Sequence, residues 1–181
     1  MDLKTIVTLS VTILVAAAGY LFKYLNDLKL SQRKDRLERV DRQLRELYGP
    51  LFALDRASTM AWTAFRSRYR PGEAFWGTAS SPTEEEAAAW RLWMTEVFMP
   101  LNLEMTQIIT ERADLLEESE MPDVLLELCA HVYAYKPVIR EWEQGDYSLH
   151  TSIINFPMAL RDYTSESYVR LKREQARLLG K

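Results

Sequence analysis

The stretch KDRLERVDRQLRELYGPL, residues 34–51, combines dense arginine with a helical repeat of leucine and valine. Its residues Leu37, Val40, Leu44 and Leu47 follow heptad a and d spacing, which predicts a helix with one apolar seam. On its other faces, acids precede bases by four residues, the favourable order for ion pairs within a helix. Two heptads are too few for a long coiled coil. We therefore expect the seam to pack onto the domain that follows or onto a second copy of the chain.

The same stretch is too mixed in charge to be a nucleic-acid-binding helix. Residues 23–47 hold eight Lys or Arg and five Asp or Glu, and the arginines recur every three residues, so they drift around the helix instead of sharing one face. No binding to nucleic acid is expected. The basic residues nearest the N-terminus suit attraction to anionic lipid headgroups. Gly49-Pro50 predicts the end of this helix or a kink, because proline lacks a donor and clashes with the preceding turn.

Composition predicts an all-α globular domain. The chain has 181 residues, of which 48% are hydrophobic and 27% charged, the balance of a folded protein. Glycine and proline are few, and the stretches between them are rich in the residues that enter helices most readily. The one cysteine, Cys129, has no partner for an intramolecular disulfide, so a reducing compartment is permitted.

An uncharged segment of eighteen residues, TIVTLSVTILVAAAGYLF, lies between Lys4 and Lys23. As a helix it would cover roughly 27 Å, close to the thickness of the hydrocarbon core of a bilayer. A cleaved signal peptide is one alternative, but the apolar run continues through Tyr20 and Phe22, where a mature protein would turn polar. A buried helix of a soluble protein is the other, and it would show a polar face. The sequence predicts a transmembrane helix.

The charges flanking this segment predict its orientation. One lysine precedes the span, whereas seven Lys or Arg follow it within about 20 residues, the window over which basic residues bias insertion. We therefore expect a single pass through the inner (cytoplasmic) membrane with the C-terminal domain in the cytoplasm. Within the span, Thr8, Thr12, Ala16 and Gly19 form one small face, which would let another transmembrane helix approach closely.

The domain plan that follows has three parts: a transmembrane anchor over 1–25, a charged juxtamembrane stalk helix over 26–49 that continues it, and a cytoplasmic up-and-down helical bundle over 50–181. Thr83 and Glu86 fit a capping box at a helix start. Proline predicts kinks at 100 and 137. The helices of the bundle are expected over about 51–69, 83–115, 123–143 and 157–179, the last capped by Asn155.

No established catalytic motif is present: there is no phosphate-binding glycine loop, CxxC, GxSxG or HExxH. Glu127 and His131 share a helix face and could supply two metal ligands, but a di-iron bundle needs two Glu-x-x-His pairs and two further glutamates. Cys129 and His131, two apart, do not face each other on a helix. We expect no enzyme, no cofactor and no bound metal. A metal-dependent enzyme built on Glu127 and His131 is the least favoured alternative.

Two interpretations of function from the sequence stay open. The leading one is a membrane-anchored interaction or scaffold protein, with the seam Leu37, Val40, Leu44 and Leu47 and the loop residues Phe75 and Trp76 as contacts for another protein or for a second copy. The loop residues could instead fold back as a lid over the bundle, because large apolar side chains in a loop need cover. The alternative is a ligand-sensing bundle with a cavity lined by Trp90, Trp93, His131 and Tyr135.

The segments ELYGPLFAL, MPLNLEM, LCAHVYAYKPVI, SIINFP and LKREQARLLG resemble in their layout uncharacterised bacterial proteins with one N-terminal anchor and a helical domain. The similarity covers most of the chain. It implies a setting at the membrane and no active-site residues.

Overall fold

The computed structural model describes residues 2–72, 75–76 and 81–181, and of residues 5–7 and 9–11 the backbone alone. This described part is helical and holds no strand, which confirms the all-α prediction. The α-helices are α1 (Leu3–Gln43), α2 (Gly49–Tyr69), α3 (Glu84–Trp93), α4 (Met99–Glu111), α5 (Asp123–Glu143) and α6 (Leu160–Leu179). A π-helical turn over Leu44–Tyr48 joins α1 to α2, and a second, over Met94–Phe98, joins α3 to α4.

The helices pack as a bundle. α2 lies against α4 and α6, α4 lies against α5, and α5 lies against α6. Helices that follow each other in the chain, such as α4 and α5 or α5 and α6, are therefore neighbours in space as well. The core between them holds Leu51, Phe65, Met105, Leu128 and Leu171, all buried.

Each π-helical turn is followed directly by an α-helix whose second residue is proline. Proline lacks an N–H group and collides with the carbonyl four residues earlier, so an ordinary α-helix cannot pass it unchanged. A turn widened by one residue avoids this conflict: the Gly49 N–H donates to the Leu44 carbonyl, and the Met99 N–H to the Met94 carbonyl, each five residues back. The predicted end or kink at Gly49-Pro50 is thus a π-helical turn through which the helix continues.

Gly49 is required by this turn. A Cβ atom there would collide with the carbonyl oxygen of Leu44, because the widened turn brings that oxygen against the glycine Cα. Gly19, in α1, has nothing within 4 Å of the same position. Close backbone packing therefore requires glycine at position 49 but not at position 19.

The apolar seam of residues 34–51 packs inside its own chain. Val40 and Leu47 are fully buried, while Leu37 and Leu44 are partly buried. α6 lies along this part of α1 and holds it by polar contacts as well. One of them joins Arg33 Nε, which donates, to the Leu178 carbonyl oxygen at 2.7 Å. Of the two partners expected for the seam, the following domain is the one in contact.

The N-terminal part of α1, as far as Leu30, has its described side chains exposed, including apolar residues from Ile13 to Leu30. Among the described residues, no helix is long and apolar enough to cross a membrane. The predicted span contains 5–7 and 9–11, whose side chains lie outside the described residues. The hydroxyls of Thr8 and Thr12 bond back to carbonyls one turn earlier in the helix.

Local patterns predicted some helix bounds well and others poorly. The capping box of Thr83 and Glu86 is formed in both directions, and α5 has its predicted bounds. The predicted start of the last helix is wrong: α6 begins at Leu160, with Ala159 as its N-cap, and Asn155 lies exposed in the preceding loop. That loop is held by bonds to the bundle, so its own capping signal does not decide where the helix begins.

Candidate functional site

A cavity of about 400 Å³ opens at the end of the bundle away from the α1–α6 contact. α2, α4 and α5 supply its inner walls, and the loop between α5 and α6 supplies the outer one. Its mouth carries Met158, which is 86% exposed. The cavity is therefore bounded by helices on its deep side and by a loop at its opening, an arrangement suited to admitting a small molecule.

The apolar lining is largely aromatic. The ring of Trp62 meets those of Trp90 and Phe98 edge-on, with centroids 5.9 Å apart in both pairs. On the other side, His131 lies edge-on to Phe156 at 5.6 Å. Such rings have defined positions because each packs against others. The second π-helical turn contributes Met94 and Phe98 to this wall, so the widened turn helps to shape the cavity.

Asp55 is the buried acid of the cavity. It is only 1% exposed, and one of its oxygens accepts a hydrogen bond of 3.2 Å from the Thr164 hydroxyl. Burial raises the pKa of the Asp55 carboxyl, while the Thr164 bond and the positive charge of Arg161 oppose that rise. A carboxylate removed from water is costly unless something pairs with it.

His131 lines the cavity and carries a buried hydrogen-bond acceptor that has no partner in the described part of the chain. Its Nδ1 lies 2.7 Å from the Ile154 carbonyl oxygen, and because a carbonyl only accepts, Nδ1 carries the proton. In the neutral ring Nε2 is then an acceptor, and it is buried without a partner among the described residues. Burial lowers the pKa of His131, which favours this neutral form. The amide oxygen of Asn102, also buried in the lining, likewise finds no partner there.

Ring N–H groups of the bundle hold the outer loop in place. Trp90 Nε1 donates to the His150 carbonyl at 2.8 Å, and Trp142 Nε1 to the Leu149 carbonyl at 2.7 Å. His131 makes the third bond of this kind, to Ile154. The loop wall of the cavity is thus fixed by side chains that come from α3 and α5.

Three of the four residues predicted for a ligand cavity do line it: Trp90, His131 and Tyr135. Trp93 instead packs against Phe65, with ring centroids 5.5 Å apart. Sequence reasoning missed Asp55 and Asn102. Asp55 follows Leu51 by four residues, so a polar residue on the apolar face of α2 was the available signal.

The two loop aromatics proposed as contacts fold back on the bundle. Phe75 is buried against Phe65, with ring centroids 5.0 Å apart. Trp76 is half-buried and stacks on the His150 ring at 4.7 Å. Both therefore contribute to the cover over the core and the outer loop.

The residues considered for metal binding or nucleophilic chemistry differ in their surroundings. Glu127 is exposed, whereas His131 is buried and Cys129 is half-buried, with the pKa of its thiol raised by burial. Within the described ranges, no three side chains of His, Cys, Asp or Glu come together as metal ligands would.

The comparisons with known proteins give no relative to reason from. No family model matches the chain, and no curated protein or solved structure matches it. The geometry of the cavity is therefore the main guide to function.

Proposed function

We propose that the helical bundle binds a small organic ligand in the cavity between α2, α4, α5 and the outer loop. The observation that carries this proposal is a cavity of about 400 Å³ whose buried polar side chains keep unused hydrogen-bonding capacity. Small-molecule sites have this character: mostly apolar walls with a few placed polar groups. A buried polar atom left without a partner costs about 1–3 kcal/mol. A ligand that satisfies it recovers that cost.

The alternative proposal, a protein-interaction scaffold, has weaker support. The seam residues Val40, Leu44 and Leu47 and the loop residue Phe75, which were expected to meet a partner, are packed within the chain's own core. Side chains already used in this way are not free to form an interface. The ligand-binding alternative therefore becomes the leading proposal.

Placement at the membrane belongs to the same proposal. The apolar residues of α1 between Ile13 and Phe22 are exposed, and apolar surface is stabilised when it leaves water. A bilayer around the uncharged segment would provide that environment, and the basic residues that follow favour a cytoplasmic bundle. Along the continuous helix the cavity would stand about 50 Å beyond the end of the anchor.

Ligand binding is tested with the full chain in detergent micelles and a panel of small organic compounds. Trp62 and Trp90 line the cavity, so binding should change the intrinsic tryptophan fluorescence and raise the Tm. Ser58→Met, which fills the lining, should abolish both responses. The matched control is Ser67→Met, an exposed position on the same helix. Equal responses in the two variants would overturn the proposal.

Membrane placement needs its own experiment. The full chain should stay in the membrane fraction after an alkaline carbonate wash, and a chain lacking residues 1–25 should not. A reporter fused after Lys181 should be active in the cytoplasm. A reporter active only outside the inner membrane would contradict the proposed orientation.

A further inference from the structure

We propose that the ligand of this cavity is an organic ammonium ion, a primary or secondary amine attached to an apolar body. This inference rests on the proposed ligand-binding function and names the chemical class that the site would select. Three features of the lining support it: its unpaired buried polar groups are hydrogen-bond acceptors, its apolar wall is aromatic, and its guanidinium group, that of Arg161, is exposed to water.

Two buried side-chain atoms of the described lining have no hydrogen-bond partner, and both are acceptors. Asp55 offers a carboxylate whose one identified bond comes from Thr164. His131 offers Nε2, and Asn102 offers its amide oxygen, both without a partner in the described part of the chain. Acceptors are complemented by donors, and an ammonium group brings two or three N–H donors together with a positive charge.

Charge separates an ammonium ion from a neutral donor such as an alcohol. Asp55 is 1% exposed, and a carboxylate in such a position is stabilised strongly by a cation beside it. Hydrogen bonds to charged groups are roughly twice as strong as bonds between neutral groups. A cationic donor therefore gains more from this site than an uncharged one of the same shape.

The aromatic wall suits the rest of such a molecule. Trp90, Phe98 and Tyr135 provide apolar contact for a hydrocarbon body, and the faces of aromatic rings attract cations that lie near them. A quaternary ammonium ion would use these rings as well, but it carries no N–H and would leave the acceptors of Asp55 and His131 unsatisfied. The site therefore favours amines that keep at least one proton donor.

The distribution of positive charge around the cavity does not favour an anion. Arg161 lines the cavity, but it is exposed, so water and salt screen its charge. An anion that passed it would reach the buried carboxylate of Asp55. Like charges at such a position repel more strongly than they would in water, because burial removes the screening.

Four probes that share one ring test the assignment: benzylamine as the ammonium ion, benzyl alcohol as the neutral donor, benzoate as the anion, and benzyltrimethylammonium as the cation without an N–H donor. Dissociation constants are measured with the full chain in detergent micelles at pH 7, by calorimetry and tryptophan fluorescence. Benzylamine should bind at least about tenfold more tightly than each of the others, a difference of about 1.4 kcal/mol.

Two carboxylate variants identify the group responsible. Asp55→Asn should remove the tenfold preference for benzylamine and leave the affinity for benzyl alcohol within about twofold. The matched control is Asp162→Asn, an exposed carboxylate close enough to influence Asp55, and it should keep the preference. An equal loss in both variants would show that general surface charge selects the probe, which would overturn the assignment.

The possible results separate this inference from the function on which it rests. If benzyl alcohol or benzoate binds as well as benzylamine, and Ser58→Met abolishes that binding, the cavity binds ligands but the ammonium assignment is wrong. If benzyltrimethylammonium binds best, the site recognises charge without the proposed hydrogen bonds, and the assignment is again wrong. If neither these probes nor the wider panel binds, both proposals are overturned.

Discussion

The two ends of the bundle differ in how closely they are packed and in how far their buried polar groups are paired. At the end where α1 meets α6, the Gln43 amide N–H donates to the Leu115 carbonyl at 2.8 Å, although the Gln43 amide oxygen has no partner among the described residues. The Glu117 N–H donates to the Tyr48 hydroxyl, which itself donates to a Glu118 carboxylate oxygen. At the other end, Asp55 and His131 line a cavity, and His131 Nε2 has no partner among the described residues. One end is closely packed, while the other encloses a cavity of about 400 Å³.

This contrast indicates that the two ends contribute differently to the stability of the fold. The packed end supplies stability, because filled apolar space favours the folded state and the hydrogen bonds of the buried side chains of Gln43 and Tyr48 add to it. The end with the cavity contributes less to stability, because buried acceptors without partners and unfilled volume both cost free energy. Substitutions at the packed end should therefore destabilise the fold, and some at the end with the cavity should stabilise it while removing binding.

The largest expected effect is at the packed end. Leu47→Ala removes a fully buried side chain and should lower the free energy of unfolding by about 2–5 kcal/mol, through lost apolar contact and the void left behind. Chemical denaturation of the full chain in detergent measures the change. The control, Leu92→Ala, removes a side chain that is 61% exposed, and should cost less than about 0.5 kcal/mol. Equal losses would mean that the two positions are not packed differently.

Gly49→Ala should follow, with a loss of about 1–3 kcal/mol, because the new Cβ would collide with the Leu44 carbonyl oxygen in the π-helical turn. Gly19→Ala meets nothing within 4 Å and should leave stability unchanged or slightly higher. Thermal unfolding of both variants gives the comparison. A stabilising Gly49→Ala would show that the turn converts to an ordinary α-helix without cost.

Asp55→Asn should raise the Tm near neutral pH. Burial raises the pKa of the Asp55 carboxyl above its ordinary 3.8, so the folded state prefers the protonated acid and is penalised once the group ionises. The advantage of the variant should therefore grow as the pH rises from 3.8 through the raised pKa of the folded state. It should disappear in more acidic solution, where Asp55 is protonated in both states. A variant that is less stable at every pH would assign Asp55 a structural role through Thr164.

His131 should make stability depend on pH with the opposite sign. Its pKa is lowered by burial from the usual 6.5, so the unfolded chain takes up a proton first as pH falls. The contribution of the neutral His131 ring to the free energy of unfolding is fully present above pH 6.5. Below pH 6.5 this contribution declines, by at most about 1.4 kcal/mol per pH unit. His131→Gln should remove this contribution, measured as Tm against pH. His150→Gln, at an exposed position, should retain it.

The smallest effect is expected at the surface of the α1–α6 contact. Arg36 binds Glu174 through two hydrogen bonds of 2.7 and 3.0 Å, but the pair is partly exposed. Arg36→Ala should cost about 0.2–1 kcal/mol, less at high salt, because water and ions screen such pairs. A loss comparable to that of Leu47→Ala would show that this ion pair anchors α1 to the bundle.

Sequence reasoning succeeded where the signal was local. The capping box at Thr83 and the bounds of α5 follow from residues within one turn of each other. It failed at the start of α6, where the loop is set by bonds from Trp142, Trp90 and His131, up to 60 residues away in the chain. Those contacts, and not a capping residue at Asn155, determine where α6 begins.

The candidate site was predictable only in part. Trp90, His131 and Tyr135 were among the four residues predicted for a ligand cavity, and they do line it. Asp55 and Asn102 were missed, since a polar residue on the apolar face of a helix indicates burial but does not indicate a cavity beside it. The existence of the cavity depends on the space that neighbouring side chains leave unfilled, which no local pattern records.

The amino-acid sequence by itself determined the helical class, the positions of most helices, and an uncharged N-terminal segment followed by basic residues. These follow from propensity, periodicity and charge, which act between residues close in the chain. The tertiary structure alone decided that the seam of α1 packs against the chain's own bundle. It also decided that a π-helical turn precedes each of Pro50 and Pro100, and that Asp55 and His131 line one cavity. Each of these depends on which distant surfaces meet, because packing and burial are set by the whole fold.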